Sequence, residues 1–341
     1  MIRLQAIGLY RSDFSDADIR NGEARLGDSW IMDDGKEYIV CDAGCGKYTE
    51  RTLDVLENRK IFSPHLYNSH PHGDHLGIRK IIRSKDFKPK SLSVPDPDSY
   101  KDVSGEVRSN KQALRDLIAE AKERKIPVIY LRNGNRIVRG QMKFTVYQDT
   151  EVGYTGNSEG YVNDRSLAFW FPELSYLTTG DAGMWCVQKY GLKPKYVKGG
   201  HHGNRLDGAT LKPSQMAPVM KKNGCNFYWD NDFSDHLTDF LMTGRDDAIN
   251  SGMTILSIRG DINTIWFGRR AVIYKGSDIY RYACSYTGKA TIKDADLDIV
   301  KTVLKGTAGT DDARISYLLN RSYNPALVQK QVNEIINLVR G

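Results

Sequence analysis

No apolar run in this 341-residue chain approaches the roughly 20 residues that a bilayer-spanning helix needs, so a helical membrane anchor within it is excluded. The opening Met1-Ile2-Arg3-Leu4-Gln5 lacks the basic-then-apolar pattern of a secretory leader. Synthesis in the cytoplasm is therefore expected, and any action outside the cell would need release by another route. Cysteine is sparse too: five residues, odd in number and scattered at 41, 45, 186, 225 and 284, do not make a disulfide framework. A lone C-x3-C at 41 and 45 is also a poor zinc site, and the expectation is reduced, structural thiols. One-sided charge is largely missing as well. Lys and Arg number 49 against 42 Asp and Glu, a net +7 that favours a polyanionic partner such as nucleic acid or a phosphate-rich wall polymer only weakly. The length suits one large layered domain and a small extra module.

Histidine is scarce, yet three of the seven fall within six positions. The stretch Ser69-His70-Pro71-His72-Gly73-Asp74-His75-Leu76-Gly77 follows an apolar run, Ile61 to Tyr67, that reads as a strand. In an extended segment His70 and His72 point the same way. Asp74 and His75 come after the Gly73 turn and can face a second direction, so one loop can feed two metal positions. Imidazole and carboxylate together suit zinc, manganese or iron in hydrolytic sites.

His70-x-His72-x-Asp74-His75 resembles the first metal motif of the metallo-β-lactamase superfamily, and what precedes it fits. Gly27-Asp28-Ser29-Trp30-Ile31-Met32 resembles the family's opening strand. Tyr38-Ile39-Val40-Cys41-Asp42-Ala43-Gly44 resembles its strand ending in Asp-x-Gly, where the resemblance implies that Asp42 supports the metal loop from behind. Thr179-Gly180-Asp181 and Gly200-His201-His202-Gly203 resemble the remaining motifs. Asp181 would then bridge two metals and His201 would complete the second; His202 is the alternative ligand, or an imidazole behind the shell or against the substrate. The resemblance implies two divalent ions, zinc foremost with manganese and iron as alternatives, and a four-layered αββα sandwich of class α/β over residues 1–290.

One absence departs from that pattern. The family supplies a histidine between the first motif and the bridging aspartate, but none occurs from 76 to 200. Val162-Asn163-Asp164-Arg165-Ser166-Leu167 stands there instead and resembles the Asn-x-x-Ser-Leu stretch of the ComEC-type DNA-uptake branch and of teichoic-acid phosphorylcholine esterases. The first metal is then expected on His70, His72 and Asp181, with water or Asn163 completing the shell at reduced affinity; His236 is a remote candidate for the missing ligand. Two metals roughly 3.5–4 Å apart would share a hydroxide and clamp a phosphate oxygen, with Asp74 and Asp181 as the catalytic carboxylates. Arg205 is a candidate phosphate contact or plain surface charge.

Along the rest of the chain, helices are expected at Thr52 to Arg59, Ile78 to Lys85 and Ser109 to Lys125. Strands are expected at Ile126 to Leu131, Met142 to Tyr147, Ser166 to Phe171, Leu174 to Thr179, Tyr196 to Lys198, Cys225 to Trp229, Ile262 to Phe267 and Ala271 to Tyr274. Asp230 to Asp247 is aromatic and acid-rich without a clear period, a candidate lid or substrate wall. Residues 291–341 read as a three-helix module: Asp296 to Lys305, Asp311 to Leu319 and Pro325 to Val339. Ile299-Val300-x-x-Val303-Leu304-x-Gly306, Gly309, Arg314, Leu318-Leu319, Tyr323-Asn324 and Val328-Gln329-x-x-Val332-Asn333-x-Ile335 resemble the Cpl-seven (CW7) repeat, a peptidoglycan-binding module of phage lysins. Thr307-Ala308-Gly309-Thr310 departs from its usual ligand loop.

Together these resemblances imply a metal-dependent phosphoesterase or phosphodiesterase brought to the bacterial cell wall, peptidoglycan or teichoic acid, in the manner of a phage lysin. A nuclease of the ComEC type is the second expectation, and a wall-binding protein with a degenerate metal site the third. Lactam hydrolysis is disfavoured, since nothing in the chain points to an antibiotic pocket.

Overall fold

The computed structural model describes residues 2–7, 27–203, 205–208, 210–225, 227–230, 247–248, 250–257, 262–267, 270–275, 278–285 and 297–310, with 313–314, 317–318, 328–329, 332–333 and 336. The Asp230-to-Asp247 candidate lid, His236 included, lies almost wholly outside them. Two compact units divide the chain, Gln5–Asn263 and Met1–Leu4 with Thr264–Gly341.

In the larger unit the chain runs β1 (Ile2–Ile7, shared with the smaller unit), β2 (Trp30–Asp33), β3 (Tyr38–Cys41), α1 (Thr49–Asn58), β4 (His65–Tyr67), α2 (Ile78–Arg83), β5 (Ser91–Pro95), α3 (Gly105–Glu123) and β6 (Val128–Leu131). It continues through β7 (Arg136–Arg139), β8 (Met142–Tyr147), α4 (Ser158–Asp164), β9 (Ala168–Phe171), β10 (Tyr176–Thr178), α5 (Trp185–Lys189), β11 (Tyr196–Lys198), α6 (Pro213–Lys222), β12 (Phe227–Asp230) and β13 (Thr254–Ser257). One sheet is ordered β1-β2-β3-β4-β5-β6, with β2 and β3 antiparallel and β3 through β6 parallel. The other is ordered β13-β12-β11-β10-β9-β8-β7, parallel from β10 to β13 and antiparallel from β7 to β10.

Strand alternation sorts these sheets into layers, because successive side chains leave a strand on opposite faces. Ile31, Val40, Leu66, Leu92 and Val94 of the first sheet share one core with Leu56, Ile78, Ile81, Ile82, Leu114 and Leu117 of α1 to α3. The opposite faces meet the second sheet: Trp30 packs edge-on against Phe169 and Phe171, with centroids 6.2 and 6.4 Å apart, and Tyr67 against Phe144 and Phe169 at 5.6 and 5.9 Å. Beyond, Ala168, Leu177 and Val197 pack with Cys186 and Val187 of α5 and Met216, Ala217 and Met220 of α6. The order is therefore helix, sheet, sheet, helix. Each buried aliphatic side chain contributes about 1.5–3 kcal/mol, so these three interfaces dominate stability.

Boundaries shift from the sequence expectation for local reasons. The third helix starts at Gly105 rather than Ser109, because Ser104 caps it by accepting from Val107 N at 3.1 Å. The strand expected from Ile61 begins only at His65, since Pro64 has no N–H to offer a ladder. In the smaller unit, β14 (Ile262–Phe267, its first two residues belonging to the larger unit) neighbours β15 (Arg270–Lys275), which pairs antiparallel with β16 (Asp278–Ser285). There α7 (Leu297–Leu304) buries Ile299, Val300 and Val303 with Ala308, Leu318, Val328 and Val332.

Candidate metal centre

The carboxyl ends of parallel strands are where an α/β sheet exposes loops to a ligand, and both sheets deliver their polar residues there. After β3 the chain turns through Asp42 (φ 61°), Ala43 (φ 66°) and Gly44 (φ 74°), three left-handed residues in a row. Two of them carry a Cβ, a conformation costing on the order of 1 kcal/mol each unless the surroundings hold it. They do: Asp42 N donates to Tyr67 O at 2.9 Å, and the Asp42 carboxylate accepts from Ser69 N and Ser69 Oγ, both at 2.7 Å. Gly77 N donates to Gly44 O at 2.7 Å, and a Cβ on Gly77 would stand 2.3 Å from Ala43 O, so only glycine permits this approach. The loop after β4 is clamped before any ligand enters.

His70, His72, Asp74 and His75 of that loop are buried, as are Asp28 before β2, Asp181 after β10 and Lys198 at the end of β11. Two donor groups result. His70, His72 and Asp181 converge in one; Asp28, His75, Asp181 and His202 converge in the other, all donor atoms of each lying within 4.8 Å of one another. Asp181 belongs to both. In the first group His70 Nε2 is 3.1 Å from His72 Nδ1 and 3.5 Å from Asp181 Oδ2. In the second His75 Nε2 is 3.2 Å from Asp181 Oδ1, and His202 Nε2 is 3.3 Å from Asp74 Oδ2 and 3.7 Å from Asp181 Oδ2.

These spacings fit ligand shells. Donors bound at 2.0–2.2 Å to one tetrahedral cation stand roughly 3.3–3.6 Å apart. The polar groups fit as well: among the described residues, His72 Nε2 is buried with no hydrogen-bond partner, and the buried Asp181 oxygens face only imidazoles. A buried polar atom without a protein partner is uncommon, and here it stands in a cluster of acceptors suited to a cation. A carboxylate only accepts, so the 3.0 Å contact of His75 Nδ1 with Asp42 Oδ2 places the ring proton on Nδ1 and frees Nε2 for the centre. Ser69 Oγ, 3.0 Å from His70 Nδ1, does the same from a weaker acceptor.

Charge follows burial and neighbours. Burial and the nearby His75 push His70 well below the ordinary imidazole range, so it stays neutral. Burial also opposes protonation of His75, but the carboxylates of Asp181, Asp74 and Asp42 outweigh it and hold His75 well above that range. At His202 burial is likewise overcome by Asp181, Asp28 and Asp74, and the value is pushed up to about 10. Asp181 stays ionised against its burial through His75, His202 and His70. Without a cation, protons on His75 and His202 balance the carboxylates; a divalent ion would replace them.

The remaining expected residues sort as follows. His201 belongs to neither group; its Nε2 lies 3.9 Å from Asp181 Oδ2 and 3.8 Å from Glu159 Oε1. Asn163, in the last turn of α4, is buried with Oδ1 lacking a hydrogen-bond partner among the described residues. The Arg205 guanidinium is held by Asp164 Oδ1 at 2.5 Å and by Asp207 Oδ2 at 2.7 Å. Two residues escaped the sequence reading, Asp28 and Lys198. Their signal was a lone acid ahead of apolar β2 and a lone cation closing apolar β11, charges that burial obliges to find a partner.

No family profile and no curated protein matches this chain. Among solved structures it is similar to a diphosphatase from the PhnP family, at 11% identity over 67% of this chain and 86% of that one, with a TM-score of 0.40. It is similar to a metallo-β-lactamase from Pontibacter korlensis at 16% identity over 50% and 77%, TM-score 0.33. A mutant of CmlA β-hydroxylase shares 12% identity over 78% and 54%, TM-score 0.42.

Proposed function

We propose that the chain is a metal-dependent hydrolase of the metallo-β-lactamase superfamily with a dinuclear centre, acting on phosphoesters. The observation that carries this reading is the pair of convergent, buried donor groups sharing Asp181. The first cation would be held by His70, His72 and Asp181, with Asn163 as a candidate further donor; the second by His75, Asp181, Asp74 and His202. Imidazole with carboxylate favours zinc, then manganese or iron. Such ions, when bound, supply Lewis acidity toward a phosphoryl oxygen and a source of hydroxide near neutral pH. The chain's own part is orientation: Asp42 and Ser69 fix His75 and His70, and the clamped loop holds the donors converged. Asp74, held ionised against its burial by His75 and His202, stands ready as an acceptor for that second cation.

Targeting belongs to the same proposal. Its ground is the resemblance of residues 291–341 to the Cpl-seven pattern, within which Arg314 donates to Gln329 Oε1 at 2.7 Å and to Gly309 O at 3.1 Å. A nuclease of the ComEC type is the alternative, favoured by the net +7. Purified full-length protein should cleave bis-p-nitrophenyl phosphate and sediment with Gram-positive walls, with sedimentation competed by soluble muropeptide. Cleavage of single-stranded DNA that falls steeply with salt, without wall binding, would favour the nuclease. No cleavage of either substrate would contradict the hydrolase reading.

A further inference from the structure

Asp28 lies among the converging donors of the second group, yet its surroundings give it a different task. Its Oδ1 is 3.1 Å from His202 Nδ1. A carboxylate cannot donate, so this nitrogen carries the ring proton, and Nε2 is the nitrogen that faces Asp74 and Asp181. Its Oδ2 is taken by the buried ammonium of Lys198, which also donates to Gly180 O at 3.1 Å. Gly180 precedes Asp181 and sits at φ 57°, where a Cβ would stand 2.8 Å from Ser69 Cβ. Gly27, next to Asp28, approaches the Asp74 backbone so closely that a Cβ there would meet Asp74 O at 1.7 Å. Lys198 thus joins the carboxylate behind His202 to the turn that presents Asp181.

We infer that Asp28 and Lys198 are positioning residues for the second cation site: Asp28 sets the tautomer and ring angle of His202, and Lys198 locks Asp28 to the Gly180–Asp181 turn. Neither enters the shell of the cation. The arrangement parallels Asp42 behind His75, where the same contact is 3.0 Å. The difference is charge: Asp42 is satisfied by Ser69 and Asn68, whereas Asp28 is neutralised by a buried lysine. The inference rests on the metal-centre reading above and adds to it which carboxylate stands behind the site rather than in it.

The test uses full-length protein, zinc alone as the probe, chelator competition for affinity and stoichiometry, and ¹⁵N resonances of the His202 ring for its tautomer. Two charge-balanced variants are compared with wild type, Asp28→Asn with Lys198→Met, and Asp28→Leu with Lys198→Met. With Asn, two zincs should still bind, His202 should keep its proton on Nδ1, and one zinc should weaken about 10–100-fold. With Leu, the same zinc should weaken by roughly a further tenfold and the Nδ1 proton should no longer be fixed, the other zinc staying within about twofold. Outright loss of one zinc in the Asn variant would make Asp28 a direct ligand and overturn the inference. Equal weakening of both zincs, or no change with Leu, would overturn it too. Wild type alone also decides: a zinc-loaded His202 protonated on Nε2 contradicts it without any variant. If wild type binds no zinc, the metal-centre reading falls and this falls with it; two zincs in wild type with unresponsive variants removes only the positioning role.

Discussion

The two donor groups share Asp181 but are built differently. The first has three donors, two of them imidazoles from one loop, and its His70 is backed by the Ser69 hydroxyl. The second gathers His75 and His202 from different strand ends, each backed by a carboxylate, with Asp74 beside them. A carboxylate behind an imidazole raises its basicity and fixes its angle more firmly than a hydroxyl does. The second site should therefore bind a cation more tightly, and the first should exchange it more readily.

The largest expected effect removes what the groups have in common. Asp181→Ala should lower bis-p-nitrophenyl phosphate hydrolysis by roughly three orders of magnitude or more, about 4 kcal/mol of barrier, measured as kcat/KM. Separating the groups comes next. His72→Ala should leave the tighter zinc in place and His202→Ala the weaker one, which metal analysis after gel filtration would distinguish. If both variants lose the same zinc, the two-group description is wrong. Smaller still is the contrast between supports. Asp42→Asn should weaken the second zinc about 10–100-fold, and Ser69→Ala should weaken the first by about tenfold or less, both read by chelator competition.

pH sharpens the comparison further, because His202 has its raised value only in the second group. In the metal-free chain its folded value, about 10, lies above its ordinary 6.5. The stability from its pairing with Asp181, Asp28 and Asp74 is thus complete below 6.5 and is lost as pH rises through about 10. The thermal midpoint of chelator-treated protein should fall over that window. Zinc-loaded protein should lack that loss, since a bound imidazole has already given up its proton.

The contiguous part of this centre was legible in the sequence because one loop carries it: His70, His72, Asp74 and His75 need only a strand and a glycine turn to converge. Asp181 was legible only through the resemblance of Thr179-Gly180-Asp181 to a metal motif of the superfamily. Asp28 was not, because its partners His202 and Lys198 lie 174 and 170 residues away and no local pattern ties them. The choice between His201 and His202 depends on which ring reaches Asp74, and adjacent residues in a turn with left-handed φ values of 46° and 56° follow no strand alternation. In the fold, long amphipathic α3 and apolar β8 were readable. The short helices α4 and α5 and the half-exposed strand β7 were not, since too few residues carry a period.

The most direct test of the shared-carboxylate centre is a zinc titration of metal-free full-length protein beside its Asp181→Ala variant. Two zincs of unequal affinity in wild type, both weakened at least a hundredfold in the variant, is the result the geometry predicts. A wild type that takes up no zinc, or a variant that loses one site while the other is untouched, would contradict it.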